Sequence, residues 1–250
     1  MKVKGKKSKM IKALIGVGIV VALFLIFFIF TMVKSQAEYK KMTPSDTQEI
    51  IPGIYSIKND YVNFYCIKNG DKYIAVDAGL DNELSQSEFK KMGINPEDVS
   101  TVLLTHTDYD HVAALKLFKN AKVYLSDQEE QMINGKTHRQ LIFGNKIDST
   151  YQLLHDGQVL NVSDLDIKCI LTPGHTPGSM SYLIGGKYFF SGDAFSLKDG
   201  KAQLFNESFN MDSNTQKESI EKLKGLSGVE YIFTGHYGYT DNYKLAFGSK

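Results

Sequence analysis

The chain has 250 residues, 42% hydrophobic and 23% charged, which excludes a fibrous or largely disordered protein and fits one fair-sized domain with an appendage. The formal net charge of +1 is unevenly spread: residues 1–34 hold seven lysines and no acidic residue, leaving 22 basic against 28 acidic residues over 35–250, a net of −6. The body is therefore acidic, and without a basic stripe it is not predicted to bind nucleic acid.

Lys2, Lys4, Lys6, Lys7, Lys9 and Lys12 precede an uncharged run over 13–33. As a helix, its 21 residues suffice to cross a hydrocarbon core of roughly 30 Å. The predicted organisation is a basic N-terminus over 1–12, a transmembrane helix over 13–33, a polar linker over 34–49 and a folded domain over 50–250. The lysines place the N-terminus in the cytoplasm, the helix as a single pass in the membrane and the domain on the far side. A retained anchor is favoured because the run exceeds the ~7–15 residues of a signal-peptide core. Cleavage at the small residues of Ser35-Gln36-Ala37 is the alternative, and it makes the same domain a secreted protein.

Within the domain, strand patterns cover 54–57, 62–67 and 73–76, the last two joined by the turn Asn69-Gly70-Asp71. A helix is predicted over 82–92, and Asn95-Pro96 reads as a cap followed by a first-turn proline. A short buried strand at 102–104 precedes a helix over 111–119 with Val112, Leu115 and Phe118 on one face. After a strand at 123–125, Ser126 and Glu129 have the spacing of a capping box. In the second half, 151–154 and 158–160 flank Asp156-Gly157 and read as a hairpin. Leu165, Ile167, Cys169 and Leu171 alternate, so one face of that strand is buried. Strands at 179–184 and 188–191 meet at Gly185-Gly186, Ser213 with Gln216 caps a helix carrying Ile220, Leu223 and Leu226, and 229–233 is the last strand. The segment 135–148 has no clean period and reads as a loop or partial lid. Each half runs through strands to a helix, which predicts an α+β architecture of two packed sheets with helices outside. Cys66 and Cys169 lie in apolar, strand-like runs and read as small buried side chains.

The chemistry concentrates in Thr105-His106-Thr107-Asp108-Tyr109-Asp110-His111. Imidazoles and carboxylates bind borderline and hard metal ions. In an extended loop, alternation aims His106, Asp108 and Asp110 in one direction, and His111 opens the helix beside them. Three further potential ligands each stand just past a buried strand. These are His175 in Thr172-Pro173-Gly174-His175-Thr176-Pro177-Gly178, Asp193 after Gly192, and His236 after Thr234-Gly235. Asp77, at the end of an earlier strand, reads as support for the metal loops or simply as a turn residue. Tyr109 and Tyr237 flank ligands; they are candidates to donate to an oxyanion, with plain packing beside the site as an equal alternative.

These residues resemble the pattern of the metallo-β-lactamase superfamily, His-x-His-x-Asp-His followed by a distant His, an Asp and a His. Here it reads His106-x-Asp108-x-Asp110-His111, His175, Asp193, His236, over about residues 50–240, together with the Gly-His-Thr-Pro-Gly-Ser run typical of that family. The resemblance implies the four-layer αββα sandwich, with the metals at one edge of the sheets. It implies that His106, Asp108 and His175 hold one ion, that Asp110, His111 and His236 hold a second, and that Asp193 bridges them. It further implies a metal-dependent hydrolase that uses metal-bound hydroxide on an ester, thioester, lactone, amide or phosphodiester. Asp110 would then orient the nucleophile and shuttle its proton. A bridging Asp193 points to glyoxalase II-like and lactonase-like members and away from antibiotic hydrolysis.

Asp108 departs from the family's usual His. It lowers the positive charge of the centre, so two zinc ions are the first expectation and iron or manganese a second that Asp108 favours. The implied partners are a small-molecule substrate and, through the helix, the membrane. Two readings compete. A di-iron oxidoreductase is one, since flavodiiron proteins share this fold and carry a carboxylate at the position of Asp108. A non-catalytic metal-binding surface protein is the other.

Overall fold

The computed structural model describes residues 2–139 and 144–248; positions 140–143 of the expected lid lie outside the described residues. The chain falls into two units, 1–41 and 42–250. The first is helix α1 (Lys2–Tyr39). Its segment Leu14–Tyr39 contains an 18-residue window of mean hydropathy 3.0 and is long and apolar enough to cross a membrane, a test that a signal sequence also passes. Within the stretch 34–49 read as a polar linker, residues 34–39 continue the helix and Gln48–Ile51 form a strand.

In the second unit, one sheet holds β1 (Gln48–Ile51), β2 (Ile54–Asn59), β3 (Val62–Asn69), β4 (Lys72–Val76), β5 (Val99–Leu103), β6 (Lys122–Ser126) and β7 (Tyr151–Leu154), in that order. The other is built from β8 (Val159–Val162), β9 (Leu165–Leu171), β10 (Met180–Ile184), β11 (Tyr188–Gly192), β14 (Tyr231–Thr234) and β15 (Tyr239–Thr240), in the order β15-β14-β11-β10-β9-β8. A small hairpin, β12 (Ser196–Lys198) with β13 (Lys201–Gln203), stands apart from both.

The period of two explains the layering. On β3, Tyr65 and Ile67 point toward the facing sheet, whereas Phe64 and Cys66 point outward. On β9 and β10, Ile167, Cys169, Met180, Tyr182 and Ile184 complete the inner core, and Ile170 and Leu183 face outward. Helix α2 (Asn82–Met92) covers the first sheet's outer face through Phe89, and the single turns α3 (Tyr109–Val112) and α4 (Glu130–Ile133) follow β5 and β6. Helices α5 (Ser213–Leu223) and α6 (Tyr243–Phe247) cover the second through Ile220, Leu223 and Phe247. The result is the αββα sandwich. Cys66 and Cys169 are free and buried, in different layers of the core.

Three local expectations are corrected. The helix over 111–119 is a single turn, α3 (Tyr109–Val112), followed by a 3-10 turn at Leu115–Leu117. The His111 carbonyl is taken by the Ala78 amide (2.8 Å), and the Ala113 amide is shared between Gly79 and Tyr109 (3.0 Å each), so tertiary bonds replace the helical ladder. The 151–160 hairpin does not form. β7 pairs in parallel with β6 and β8 pairs with β9, so Asp156-Gly157 carries the chain from one sheet to the other. Asp212, not Ser213, caps α5 by accepting from Asn214 N and Thr215 N; Gln216 is buried inside.

Two parallel pairs, β4 with β5 and β11 with β14, deliver four strand ends to one rim of the sandwich. The inner core packs tightly behind that rim: Phe233 stacks on Phe190 at 4.6 Å and meets Tyr65 at 5.2 Å. Phe233→Ala is expected to cost about 3–5 kcal/mol of stability, read from urea unfolding of the full chain in detergent. A change below about 1 kcal/mol would mean that this layer is not packed as described.

Candidate metal centre

Each predicted site residue sits where a strand ends at this rim. Asp77 follows β4, His106–His111 follow β5, His175 lies between β9 and β10, Asp193 follows β11 and His236 follows β14. Two backbone bonds lock these exits together. Gly235 N donates to Gly192 O at 3.0 Å, and Met180 N to Thr105 O at 2.8 Å. Gly235 has to be glycine, because a Cβ there would strike the Asp193 carboxylate and stand 2.9 Å from His111 Cε1.

The seven candidate ligands converge. Asp193 Oδ2 lies 3.2 Å from His236 Nε2, 3.4 Å from His175 Nε2, 3.6 Å from His111 Nε2 and 3.9 Å from His106 Nε2. Asp108 Oδ2 is 3.1 Å from His175 Nε2 and 3.6 Å from His106 Nε2. Asp110 Oδ2 is 3.4 Å from His236 Nε2 and 3.8 Å from His111 Nε2. Donor atoms gather into three groups, each within 4.8 Å: His106-Asp108-His175, Asp110-His111-His236, and His106-His111-Asp193 between them. Tyr109, 72% exposed, is turned to solvent. Tyr237 packs edge-on against Phe205, 6.0 Å between ring centroids.

All four imidazoles are oriented from behind. His106 Nδ1 meets Thr105 Oγ1 at 3.0 Å, His111 Nδ1 meets Asp77 Oδ2 at 2.9 Å, His236 Nδ1 meets Tyr61 O at 2.8 Å and His175 Nδ1 meets Asn210 Oδ1 at 3.4 Å. Each of those partners can accept a ring proton on Nδ1, and Nε2 is the nitrogen that each ring turns inward. Asp77 anchors two of these rings at once, because it also accepts from Thr105 N (2.7 Å) and Thr105 Oγ1 (2.8 Å). It does so from the left-handed region, φ 65°, which is costly for a residue with a Cβ and which the three hydrogen bonds offset.

Electrostatics follow from this crowding. Burial alone would raise the Asp193 carboxyl, but His236, His111 and His175 outweigh it and hold the group well below the usual range. Burial and the neighbouring His111 hold His106 well below the ordinary histidine value, so it is a neutral imidazole. At His111, burial is outweighed by Asp193, Asp77 and Asp110, which favour its protonated form. A metal cation at those carboxylates would displace that proton.

The residues fit a divalent cation. Among the described residues, three buried side-chain polar atoms lack a hydrogen-bond partner, and two of them, His106 Nε2 and Asp193 Oδ1, lie in this cluster. Such orphans are costly unless something binds them. The donor set of imidazole nitrogens and carboxylate oxygens suits zinc, iron or manganese.

Several participants were not singled out from the sequence. Glu129 was read as half of a capping box, and Ser126 Oγ does accept from Glu129 N at 3.0 Å. The Glu129 carboxylate goes elsewhere, accepting from Thr107 N (2.8 Å), Thr107 Oγ1 (2.7 Å) and Thr176 Oγ1 (2.6 Å). It thereby ties the loop carrying His106 and Asp108 to the loop carrying His175. Burial pushes its carboxyl up to about 7, against the hydrogen bonds. Gln216 donates to Asp193 O at 2.9 Å, and Asn145 donates to Asp108 Oδ1 at 3.0 Å. Arg139, in the expected lid, pairs with Asp108 at 2.6 Å. A pattern of ligand types could not reveal these, with one exception: Arg139 is the single arginine among 29 basic residues.

Comparison with known proteins agrees with this architecture. Residues 57–236 match the model of the metallo-beta-lactamase superfamily, and the chain belongs to that superfamily. A probable metallo-hydrolase of Methanocaldococcus jannaschii is 30% identical over 155 residues, which cover 62% of this chain and 65% of that one. A hydroxyacylglutathione hydrolase of Glaesserella parasuis is 26% identical over 171 residues, covering 67% of this chain and 63% of that one. The chain thus spans just under two thirds of the length of both relatives. Among solved structures, a B3 metallo-beta-lactamase with an active-site glutamic acid superposes with a TM-score of 0.64 at 19% identity, over 86% of this chain and 89% of that one.

Two outcomes are expected. Asp77→Asn should weaken metal binding about 10- to 100-fold in chelator competition, since it disturbs the support of two rings; unchanged affinity would remove Asp77 from the site. For Glu129, the folded-state value of about 7 lies above the 4.5 of an ordinary glutamate, so folding takes up a proton between them. The stability this group contributes is therefore highest near pH 4.5 and falls as pH rises through 7. In urea unfolding of metal-stripped protein, Glu129→Gln should gain on the parent by about 3 kcal/mol across that window. A flat difference would mean that the carboxyl titrates normally.

Proposed function

We propose that the protein is a metal-dependent hydrolase, tethered to the membrane by α1, with two ions in its rim site. His106, Asp108 and His175 would hold one ion and Asp110, His111 and His236 the other, with Asp193 shared. The observation that carries this reading is Asp193 Oδ2, within 3.9 Å of four inward-facing imidazole nitrogens. When bound, divalent cations supply Lewis acidity there, polarising the bond under attack and making water acidic enough to serve as nucleophile near neutral pH.

The chain's own residues supply the rest. The four Nδ1 contacts fix the rings so that little reorganisation accompanies binding. Asp193, buried and ionised, lends negative charge to both halves of the site. Asp110 is less buried than the imidazoles beside it, and its carboxylate is the group placed to orient the attacking water and take its proton. The half-exposed rim around Tyr237 and Asn210 is where a substrate would enter.

A thioester or another activated ester of a small molecule is the first substrate class to try, in line with the hydroxyacylglutathione hydrolase relative. A lactone, an amide such as a β-lactam, and a phosphodiester are the others. The N-terminal lysines favour a cytoplasmic N-terminus and a catalytic domain beyond the membrane, or a secreted domain if residues 1–37 are removed.

The deciding experiment is metal analysis of the purified full chain alongside that substrate panel, with His106→Ala as control. About two equivalents of metal and hydrolysis of one class, lost in His106→Ala, are expected. Iron-coloured protein inert on every hydrolysable substrate but active in electron transfer would replace this reading with the di-iron one.

A further inference from the structure

We infer that Arg139 is a positioning residue that forms one functional unit with Asp108: its guanidinium holds the carboxylate in the ligand cluster and cancels its charge, so that the pair stands in for a neutral ligand. The inference rests on the metal-binding reading above.

Its basis is geometric. Arg139 NH2 lies 2.6 Å from Asp108 Oδ2, and Arg139 Nε donates to Asp108 Oδ1 at 3.3 Å, the two-point fork that a guanidinium offers a carboxylate. The same NH2 donates to His175 O at 3.0 Å, and NH1 donates to Phe209 O. A guanidinium has five N–H donors; three make these hydrogen bonds, and NH2 also stands in ion-pair contact with Asp108 Oδ2. Arg139 is thus a clamp joining three segments: the loop of Asp108, the loop of His175 and the stretch before α5. Asn145 completes Asp108 Oδ1 at 3.0 Å, which leaves Oδ2 as the oxygen facing His175 and His106.

Charge gives the second argument. Where the superfamily pattern has His, this chain has Asp, and the lower charge expected of the centre would follow if Asp108 stood alone. It does not, because Arg139 returns one positive charge beside it. A guanidinium next to a cation site is tolerable only with a carboxylate between them. The chain has one arginine and 28 lysines, so the residue used here is the one whose planar fork an ammonium cannot imitate.

A double-mutant cycle tests this on the full chain in detergent: parent, Asp108→His, Arg139→Gln, the double variant, and Arg139→Lys. Zinc affinity is read by competition with a chromogenic chelator, and melting temperature is read on the metal-stripped proteins. Asp108→His should weaken zinc binding on the order of tenfold, because it strands the guanidinium beside the ion, and adding Arg139→Gln should recover most of that loss. Arg139→Gln alone should lower the melting temperature of the stripped protein, the double variant should lie nearer the parent than the two losses together, and Arg139→Lys should fall with Arg139→Gln. Additive effects in a parent that binds zinc overturn the inference and leave the metal-binding reading intact. A parent that binds no more zinc than His106→Ala overturns both.

Discussion

The arrangement depends on one buried oxygen. Asp193 Oδ2 is surrounded by four imidazole nitrogens, and Asp193 Oδ1 has no hydrogen-bond partner among the described residues. A carboxylate cannot be buried at this depth without positive charge close by. Two strand exits at the rim meet that need: against burial, Asp193 and Asp110 favour the protonated forms of His111, after β5, and of His236, after β14. The parallel pairs matter because they place these exits side by side, and the inner core matters because it holds the two sheets in one register.

Behind the cluster, polar groups divide the labour. Asp77 fixes two rings on the first sheet's side, Gln216 holds the backbone of Asp193, and Glu129 bridges the loops of His106 and His175. Each is buried and hydrogen-bonded, so each resists displacement at a cost of its own. Asp77 accepts a left-handed backbone and Glu129 a raised carboxyl. Local preference is overridden at these positions in favour of ligand geometry, as is common at functional sites.

Much of this was legible in the residues. Strand alternation in 165–171 and the apolar runs near 62–67 and 180–184 specify which face is buried, because a side-chain period of two leaves no other choice. The ligand types past each strand were visible for the same reason that loops carry function: a rigid strand end can present a polar group that its own core cannot accept. Helix 82–92 was readable to its ends because Asp81 and Gly93 cap it locally. The failures share a cause. The predicted helix after His111 lost its ladder to Ala78 and Gly79, and the hairpin at Asp156-Gly157 became a crossover between sheets. In both, partners distant in sequence won over local signals.

The sequence by itself determined an apolar N-terminal helix, an acidic domain of alternating strands and helices, and seven side chains of the kind that bind metal, because each of these follows from residue type and short-range spacing. Only the tertiary structure decided that the seven meet, that each imidazole turns Nε2 inward, and that Glu129, Asn145 and Arg139 belong to the same site. Those facts depend on contacts across tens of residues, Arg139 reaching back 31 positions to Asp108 and Glu129 forward 47 to Thr176. Chain folding creates such contacts, and no local pattern encodes them.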